Sequence, residues 1–217
     1  MISLFMDPLI TFLQQRLEHP LPGKSSQLAM APEPVTGNTR RRPMTPAGDA
    51  RQSSVLILLF PNDHQKWELI LTLRTPSINH GGQISLPGGR AESGERPLQT
   101  ALREAREEIG IPSQDVTVIG QLSELYVSHS NNQVVPVVGY LPERPRFSIN
   151  PAEVEEVFAI ELDSLLHKKN LTVEDWNLRS HTYRVPYWDV HQVPLWGATA
   201  MILHELLDLY REFLDAS

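Results

Sequence analysis

The 217-residue sequence contains no cysteine. Disulfide bonds, thiolate metal sites and cysteine nucleophiles are therefore excluded, and the absence is compatible with a cytoplasmic protein. Long apolar runs are missing as well, because no stretch approaches the roughly 20 residues that span a bilayer. We predict a soluble protein without a membrane partner.

Positive charge is also scarce: 19 Lys and Arg stand against 26 Asp and Glu, which gives a formal net charge of −7. A chain of this sign offers nucleic acid no overall attraction, so nucleic acid is not an expected partner. A small molecule that carries phosphate would have to be held by local cations or by a metal ion. Apolar side chains are plentiful, at 41% of the residues, and suffice for a sizeable core.

The N-terminal region is predicted to lie outside the main domain. Residues 1–19 carry apolar side chains at roughly helical spacing, which predicts an amphipathic helix. This stretch is not typical of an export signal, because it lacks a basic start and contains Asp7 and Pro8. Residues 20–52 are rich in Pro, Gly, Ser, Thr and Arg, which predicts an extended connector. The compact domain is expected over 53–217.

Within that domain, apolar runs and turn residues predict a sheet flanked by helices. One helix is predicted over Pro97–Ile109, ended by Gly110, and another over Ala198–Leu214. Val55–Phe60 and Trp67–Leu73 are predicted to pair as a hairpin. Further strands are predicted at Gln83–Leu86, Val116–Leu122, Leu125–Ser128, Val134–Leu141, Val157–Glu161 and Thr182–Val185. This order favours an α+β fold over a doubly wound parallel sheet.

Three glutamates crowd the end of the first predicted helix. Glu104, Glu107 and Glu108 stand at i, i+3 and i+4, so the spacing predicts that their carboxylates share one face. Like charges this close repel by roughly a few tenths of a kcal/mol per pair, and a hard divalent cation among them makes the arrangement favourable. An ordinary solvated acidic face is the simpler interpretation of the triplet alone.

The residues upstream of the three glutamates extend the pattern to a longer motif. Gly89, five residues, Glu95, seven residues and then Arg103–Ile111 resemble the Nudix box, G-x5-E-x7-REU-x-EE-x-G-U, where U is aliphatic. The one soft position is Ala105, where a larger aliphatic residue is usual. A phosphate-binding P-loop does not fit this stretch, because Glu95–Arg96 stands where Lys and Ser or Thr are required.

Two parts of the motif have structural roles that follow from residue type. Gly89 permits a tight turn from strand to loop and lets a backbone carbonyl approach a cation. Glu95 and Arg103 are placed to form an ion pair that braces the loop against the helix.

The resemblance implies an α/β/α sandwich with a mixed central sheet. It also implies Mg²⁺- or Mn²⁺-dependent hydrolysis of a nucleoside diphosphate linked to another group, and a possible homodimer. Glu104 and Glu108 are implied as the principal metal ligands. Glu107 is implied as a ligand or water-positioning residue, and Gly89 as a carbonyl ligand. Carboxylates that hold metal ions suit this chemistry, because the ions neutralise the pyrophosphate and activate water.

The identity of the general base stays open on sequence. Glu104 is the first choice, because the superfamily uses either a glutamate of the box or one on a later loop. Glu153, Glu155 and Glu156 are the alternates. A solvated acidic turn is an equally good interpretation of those three residues.

Outside the box, the sequence resembles the coenzyme A pyrophosphatase branch over most of the chain. The matching segments are Leu21–Gly23, Met30–Pro32, Leu71–Thr75, Gly82–Gly89, Val135–Gly139, Glu153–Phe158 and Trp196–Ala200. The chain departs from the branch pattern at Thr75 for Ser, Asn79 for a second Arg and Leu86 for Phe, and one residue is missing before Gly82. An asparagine offers phosphate only neutral hydrogen bonds, roughly half as strong as those of arginine.

The branch resemblance implies cleavage of coenzyme A or acyl-coenzyme A into 3′,5′-ADP and 4′-phosphopantetheine. Arg74, Gly88 and Gly89 are the residues expected to bind the substrate. Arg40–Arg42 could reach the 3′-phosphate or could simply keep the connector solvated.

Other functions and other substrate contacts stay open. Tyr126 and Phe158 are candidates for stacking on adenine. The alternative substrates are ADP-ribose, NADH or a nucleotide sugar, and the alternative class is a Nudix-fold nucleotide sensor without catalysis.

Overall fold

The computed structural model of the chain describes residues 7–35, 45–46, 48–76, 81–178 and 181–216. Five α-helices form within these residues: α1 Pro8–Arg16, α2 Lys24–Leu28, α3 Pro97–Ile109, α4 Leu162–Leu166 and α5 Gly197–Ala216. The same residues form twelve strands: β1 Glu33–Pro34, β2 Arg51–Pro61, β3 Trp67–Arg74, β4 Ile84–Ser85, β5 Gly88–Arg90, β6 Thr117–Gln121, β7 Leu125–Val127, β8 Asn132–Tyr140, β9 Val154–Glu161, β10 Leu171–Leu178, β11 His181–Trp188 and β12 Leu195–Trp196. Every helix within these ranges is too short or too polar to span a bilayer.

Strand β2 lies at the centre of an eight-stranded mixed sheet. It runs parallel to β8 on one side, and the sheet order is β4-β3-β2-β8-β6, with β9 paired to β3, β7 to β8 and β5 to β2. On its other side β2 pairs with β5 at Ser53–Val55 and with β3 at Leu59–Pro61, so it changes partner midway. At the change, Leu56 donates its backbone N–H to Pro87 O at 2.8 Å. The segment that joins β4 to β5 therefore enters the sheet where two strands part.

Side chains of β2 alternate between two hydrophobic cores, as expected for a strand covered on both faces. Leu56, Leu58 and Phe60 pack against α3. Ile57 and Leu59 pack on the opposite face, in the core that contains α1 and α5. Burial of each such side chain stabilises the fold by about 1.5–3 kcal/mol. The predicted α+β fold is thus confirmed as an α/β/α sandwich with a mixed central sheet.

The main elements predicted from periodicity are confirmed. Strands β2 and β3 form the predicted antiparallel hairpin, with Leu59 opposite Leu69. The last helix, α5, buries Ile202, Leu206 and Leu209 on one stripe.

A second, smaller sheet contains β1, β10, β11 and β12. Trp188 on β11 is buried and donates its Nε1–H to Leu165 O at 3.0 Å, which fixes this sheet beside α4 and α5. The sequence pattern does not predict β10. Most of its side chains are exposed, so polar and apolar residues do not alternate along it.

The N-terminal region differs from its prediction. Of the helix predicted over residues 1–19, α1 covers Pro8–Arg16, residues 17–19 form a turn instead, and residues 1–6 lie outside the described residues. The connector is not simply extended, because it contains α2 and β1. The physical reason is a contact with a residue far along the chain. The fully buried carboxylate of Glu205 on α5 accepts hydrogen bonds from Gly23 N at 2.9 Å and Gln27 Nε2 at 3.0 Å, which docks α2.

Candidate active site

Helix α3 has favourable residues at both ends. Pro97 occupies its first position, where a missing N–H breaks no helical hydrogen bond. Gly110 ends it in the left-handed conformation, with φ of 74°, and donates its N–H to Arg106 O at 3.1 Å. The predicted bounds of this helix are confirmed. Its buried residues are Thr100, Ala101, Ala105, Glu108 and Ile109.

The three glutamates of α3 differ in how deeply they are buried. The side chain of Glu108 is 2% exposed, that of Glu104 13% and that of Glu107 46%. Successive helix residues turn by about 100°, which separates Glu107 from its neighbour Glu108. Glu104 and Glu108 lie one turn apart and contact the glycines of β5, whereas Glu107 lies toward solvent.

Two glycines let β5 approach these carboxylates. Gly88 donates its backbone N–H to Glu108 Oε2 at 3.0 Å. A Cβ at Gly88 would lie 2.4 Å from Ser54 O, and its φ of 153° also disfavours other residues. A Cβ at Gly89 would lie 2.5 Å from Cδ of Glu104. The backbone of β5 therefore lies directly against the carboxylate of Glu104.

Glu108 is a buried acid with little compensation. Burial raises its pKa to about 7, and the charges of Glu104 and Glu153 add to the rise. The Gly88 N–H and the guanidinium of Arg74 act in the opposite direction. Arg74 Nη1 lies 3.6 Å from Glu108 Oε1, which is an ion-pair distance but too long for a hydrogen bond.

Glu153 is the third carboxylate of this region. Burial raises the pKa of Glu104; Arg103 opposes the rise, and the charges of Glu107 and Glu153 add to it. Of the two other later candidates, Glu155 is exposed, and Glu156 Oε2 lies 3.4 Å from His191 Nε2. We call Glu104, Glu108 and Glu153, together with the backbone of Gly88–Gly89, the acidic corner.

Arg103 connects the loop before α3 to the acidic corner. Its Nε donates to Glu95 Oε1 at 2.7 Å and its Nη2 donates to Glu95 Oε2 at 3.0 Å, the bidentate contact that the motif predicts. Arg103 is the largest cause that lowers the pKa of Glu95 to about 2. Nη1 donates to Glu104 Oε1 at 2.9 Å and to Glu107 Oε2 at 3.0 Å. One guanidinium nitrogen therefore serves two glutamates of the box.

The acidic corner fits a divalent cation in its donor chemistry. Its carboxylates and backbone carbonyls are oxygen donors, which Mg²⁺ and Mn²⁺ prefer. The pKa values of Glu104 and Glu108 are raised, which means that their ionised forms are poorly stabilised by the fold. A bound cation would stabilise these negative charges. Among the residues that the structure describes, no three acidic or histidine side chains already meet in the geometry of a metal site. Glu104 and Glu107 are instead hydrogen-bonded to Arg103.

The remaining predicted contacts are spread over the molecule. Tyr126 donates its hydroxyl to Asn131 Oδ1 at 2.9 Å and borders a cavity of about 160 Å³. Phe158 stacks on His191 with ring centroids 4.4 Å apart, so its face is already occupied. Asn79 and Arg40–Arg42 lie outside the described residues.

Two features of the acidic corner were missed by reasoning from sequence. The contact between Arg74 and Glu108 joins residues distant in the chain, and nothing in the local pattern signals it. Asn150 was also missed, although its Nδ2 lies 3.2 Å from Glu153 Oε1. The dipeptide Asn150–Pro151 is a turn signal, which could have drawn attention to the residues around Glu153.

Comparison with known proteins identifies relatives over most of the chain. Residues 50–181 match the family model described as the NUDIX domain. The chain is 39% identical over 140 residues to the uncharacterized Nudix hydrolase NudL of Photorhabdus laumondii, which covers 64% of this chain and 74% of that protein. It is 37% identical over 165 residues to the protein of the same name from Pectobacterium atrosepticum, with 75% and 84% covered.

A solved structure shows the same fold. The crystal structure of a Nudix hydrolase from M. smegmatis, RenU, superimposes with a TM-score of 0.55 at 22% sequence identity. The match covers 75% of this chain and 87% of that one.

Proposed function

Because the chain belongs to the Nudix hydrolase family, we propose that it cleaves coenzyme A or acyl-coenzyme A into 3′,5′-ADP and 4′-phosphopantetheine. The broader activity is that of the family: the protein is a Nudix pyrophosphohydrolase that acts on a nucleoside diphosphate derivative. The choice of coenzyme A rests on the segments that resemble the coenzyme A pyrophosphatase branch.

The observation that carries this choice is that several of those segments contact one another beside the acidic corner. Arg74 donates its backbone N–H to Gln83 O at 3.1 Å, and Thr75 donates its backbone N–H to Glu153 O at 3.0 Å. Thr199 Oγ1 donates to Ile84 O at 3.2 Å. Segments far apart in sequence therefore meet around the end of β3, and we propose that the part of the substrate beyond the pyrophosphate binds there.

The acidic corner is the proposed place of hydrolysis. Glu104, Glu108 and the carbonyl of Gly89 would hold the divalent cation, with Glu107 as a further ligand or a residue that positions water. When bound, Mg²⁺ or Mn²⁺ neutralises pyrophosphate charge and lowers the pKa of the attacking water.

The protein's own groups would then move the proton and hold the substrate. Glu104 is the proposed base, which takes the proton of the attacking water on a carboxylate oxygen, and Glu153 is the alternative. Arg74 would donate to a phosphate oxygen, and the glycines Gly88 and Gly89 would let the phosphates approach the backbone.

A substrate panel tests the proposal. Purified protein is incubated with Mg²⁺ or Mn²⁺ and with coenzyme A, ADP-ribose, NADH or a nucleotide sugar, and the products are separated by chromatography. We expect 3′,5′-ADP and 4′-phosphopantetheine from coenzyme A. Cleavage of ADP-ribose or NADH without cleavage of coenzyme A would overturn the substrate assignment, and would agree with the asparagine at position 79. No cleavage of any compound would contradict catalysis by this chain.

A further inference from the structure

A short turn, residues 150–153, joins the two elements that carry the charged groups of the acidic corner. On one side, Asn150 donates its backbone N–H to Glu108 O at 2.9 Å, near the end of α3. The last carbonyls of a helix lack partners within the helix, so this bond also satisfies one of them. On the other side, Thr75 donates its N–H to Glu153 O at 3.0 Å, directly after Arg74. The turn thus contacts both the helix of Glu108 and the strand of Arg74.

The side chain of Asn150 has two distinct contacts within this turn. Its Oδ1 accepts the backbone N–H of Ala152 at 3.1 Å, which is a contact that shapes the turn. Its Nδ2 donates to Glu153 Oε1 at 3.2 Å. A hydrogen bond from an amide to a carboxylate is charge-assisted and directional, so it restricts the rotamers open to Glu153. The first contact concerns the backbone, and the second concerns the position of the carboxylate.

From these contacts we infer that Asn150 is a positioning residue, which holds the Glu153 carboxylate in the orientation that hydrolysis requires. This inference rests on the proposed function, in which Glu153 belongs to the site. Asn150 itself needs no contact with the substrate. It acts through one hydrogen bond to Glu153 and through the backbone bond that keeps the turn on α3.

The chain offers a matched control in Asn62, which lies in the hairpin at the far end of β3. Its Oδ1 accepts the backbone N–H of His64 at 2.9 Å, and its Nδ2 donates to Glu68 Oε1 at 3.2 Å. Asn62 therefore makes the same two kinds of contact as Asn150, with Lys66 N and Glu161 Oε1 as further partners. Strand β3 separates the two sites by more than 20 Å at about 3.3 Å per residue. The same substitution at both positions therefore distinguishes the effect of losing a turn contact from the effect of losing the position of Glu153.

The experiment compares Asn150→Ser with Asn62→Ser, measured with Mn²⁺ and coenzyme A, or with the panel compound that the wild type cleaves fastest. Serine keeps a side-chain oxygen that can accept a backbone N–H, but it cannot reach the carboxylate as an amide does. We expect Asn150→Ser to lower kcat about tenfold, the equivalent of one charge-assisted hydrogen bond, with KM changed less than about twofold. We expect Asn62→Ser to leave kcat within about twofold, although both variants lower the unfolding temperature.

A double-mutant cycle with Glu153→Ala identifies the route of the effect. If Asn150 acts through Glu153, then Asn150→Ser lowers kcat no further in the Glu153→Ala background. An undiminished loss in that background would overturn the inference, and so would equal kcat values for Asn150→Ser and Asn62→Ser. Should Glu153→Ala leave kcat unchanged, the role of Glu153 in the proposed function is wrong, and the role of Asn150 is wrong with it.

Discussion

Carboxylates lie close together at both ends of β3, but the two groups differ in the burial of their acids. At the hairpin end, Glu68 lies directly opposite Glu161 on β9. Asn62 Nδ2 donates to both carboxylates, at 3.2 and 3.1 Å, and Arg144 Nη1 lies 3.3 Å from Glu68 Oε2. We call these four residues the hairpin cluster. The other end of β3 leads to the acidic corner.

The difference lies in the burial of Glu108, whose side chain is 2% exposed against 11% for Glu68. Each acid of the hairpin cluster accepts a hydrogen bond, and so do Glu104 and Glu108 of the acidic corner. At the acidic corner, burial raises the pKa of Glu104 and Glu108 in spite of these donors, the charge of Glu153 adds to both rises, and the charge of Glu104 adds to that of Glu108. A cluster of acids therefore indicates function where burial outweighs the donors around one of them.

The largest expected effect comes from a matched pair of substitutions, Glu108→Gln and Glu68→Gln. Glu108→Gln removes a buried ionic oxygen donor from the acidic corner, and we expect kcat to fall about a thousandfold. Glutamine has the shape of glutamate, so far-ultraviolet circular dichroism should not change. Glu68→Gln should keep kcat within about threefold. Similar kcat values for the two variants would contradict a functional difference between the acidic corner and the hairpin cluster.

The second prediction concerns stability against pH without metal. Glu108 binds its proton more tightly in the folded state, with a pKa of about 7 against an ordinary value of 4.5. Its contribution to stability is therefore complete below pH 4.5 and is lost as the pH rises through 7. The expected loss is about 3 kcal/mol. Urea unfolding in a chelator, at pH 5 and pH 8, should show this loss in the wild type and a smaller loss in Glu108→Gln, where Glu104 of the acidic corner keeps a raised pKa.

Metal gives the control for that experiment. Saturating Mn²⁺ should restore stability at pH 8 in the wild type, because a ligand that binds only the folded state stabilises it. If Glu108→Gln loses as much stability between the two pH values as the wild type does, another group causes the dependence.

A third prediction uses Gly89→Ala. The new Cβ would meet the end of the flexible Glu104 side chain at 2.5 Å, so the fold can adapt by moving that carboxylate. We expect a change of only a few degrees in the unfolding temperature but a fall in kcat of about a hundredfold, because misplacement by roughly 1 Å has such effects. Gly48→Ala is the control, since nothing lies within 4 Å of its added Cβ. Full activity of Gly89→Ala would argue against a role for the contact between Gly89 and Glu104.

The smallest expected effect comes from the arginines at the two ends. Arg74→Gln removes a positive charge 3.6 Å from Glu108, and it removes the proposed phosphate donor. We expect kcat/KM to fall about tenfold, because neutral hydrogen bonds replace charge-assisted ones. Arg144→Gln, at the hairpin cluster, should leave kcat/KM unchanged. Steady-state kinetics of both variants on the same substrate measures the two kcat/KM values.

Local sequence patterns predict the elements near the site well and the contacts between them poorly. The bounds of α3 follow from Pro97, apolar spacing and Gly110, all within one segment. The separation of Glu107 from Glu108 could also have been calculated from helix geometry, but spacing alone does not tell which one faces the core. That depends on the sheet, whose β2 carries alternating leucines against α3.

The errors arise where distant residues decide local structure. Helix α2 forms in a segment of weak pattern because Glu205, far along the chain, docks it. Strand β10 depends on pairing with β11, because its own side chains are mostly exposed. The contact of Asn150 with Glu153 is local, but its value depends on α3, which the turn touches through Glu108 O.

The backbone hydrogen bonds at the end of β3 affect how the sequence between Arg74 and Gly82 could change in evolution. Gly82 donates its N–H to Arg74 O at 2.9 Å, so the segment between them begins and ends at one fixed point. The missing residue and Asn79, the departures from the branch pattern, both fall inside that segment. Because both ends are fixed, a change in the length of this segment does not require β3 to move relative to α3. In the proposed function, this segment would determine which molecule is cleaved, while Glu104 and Glu108 on α3 stay in place.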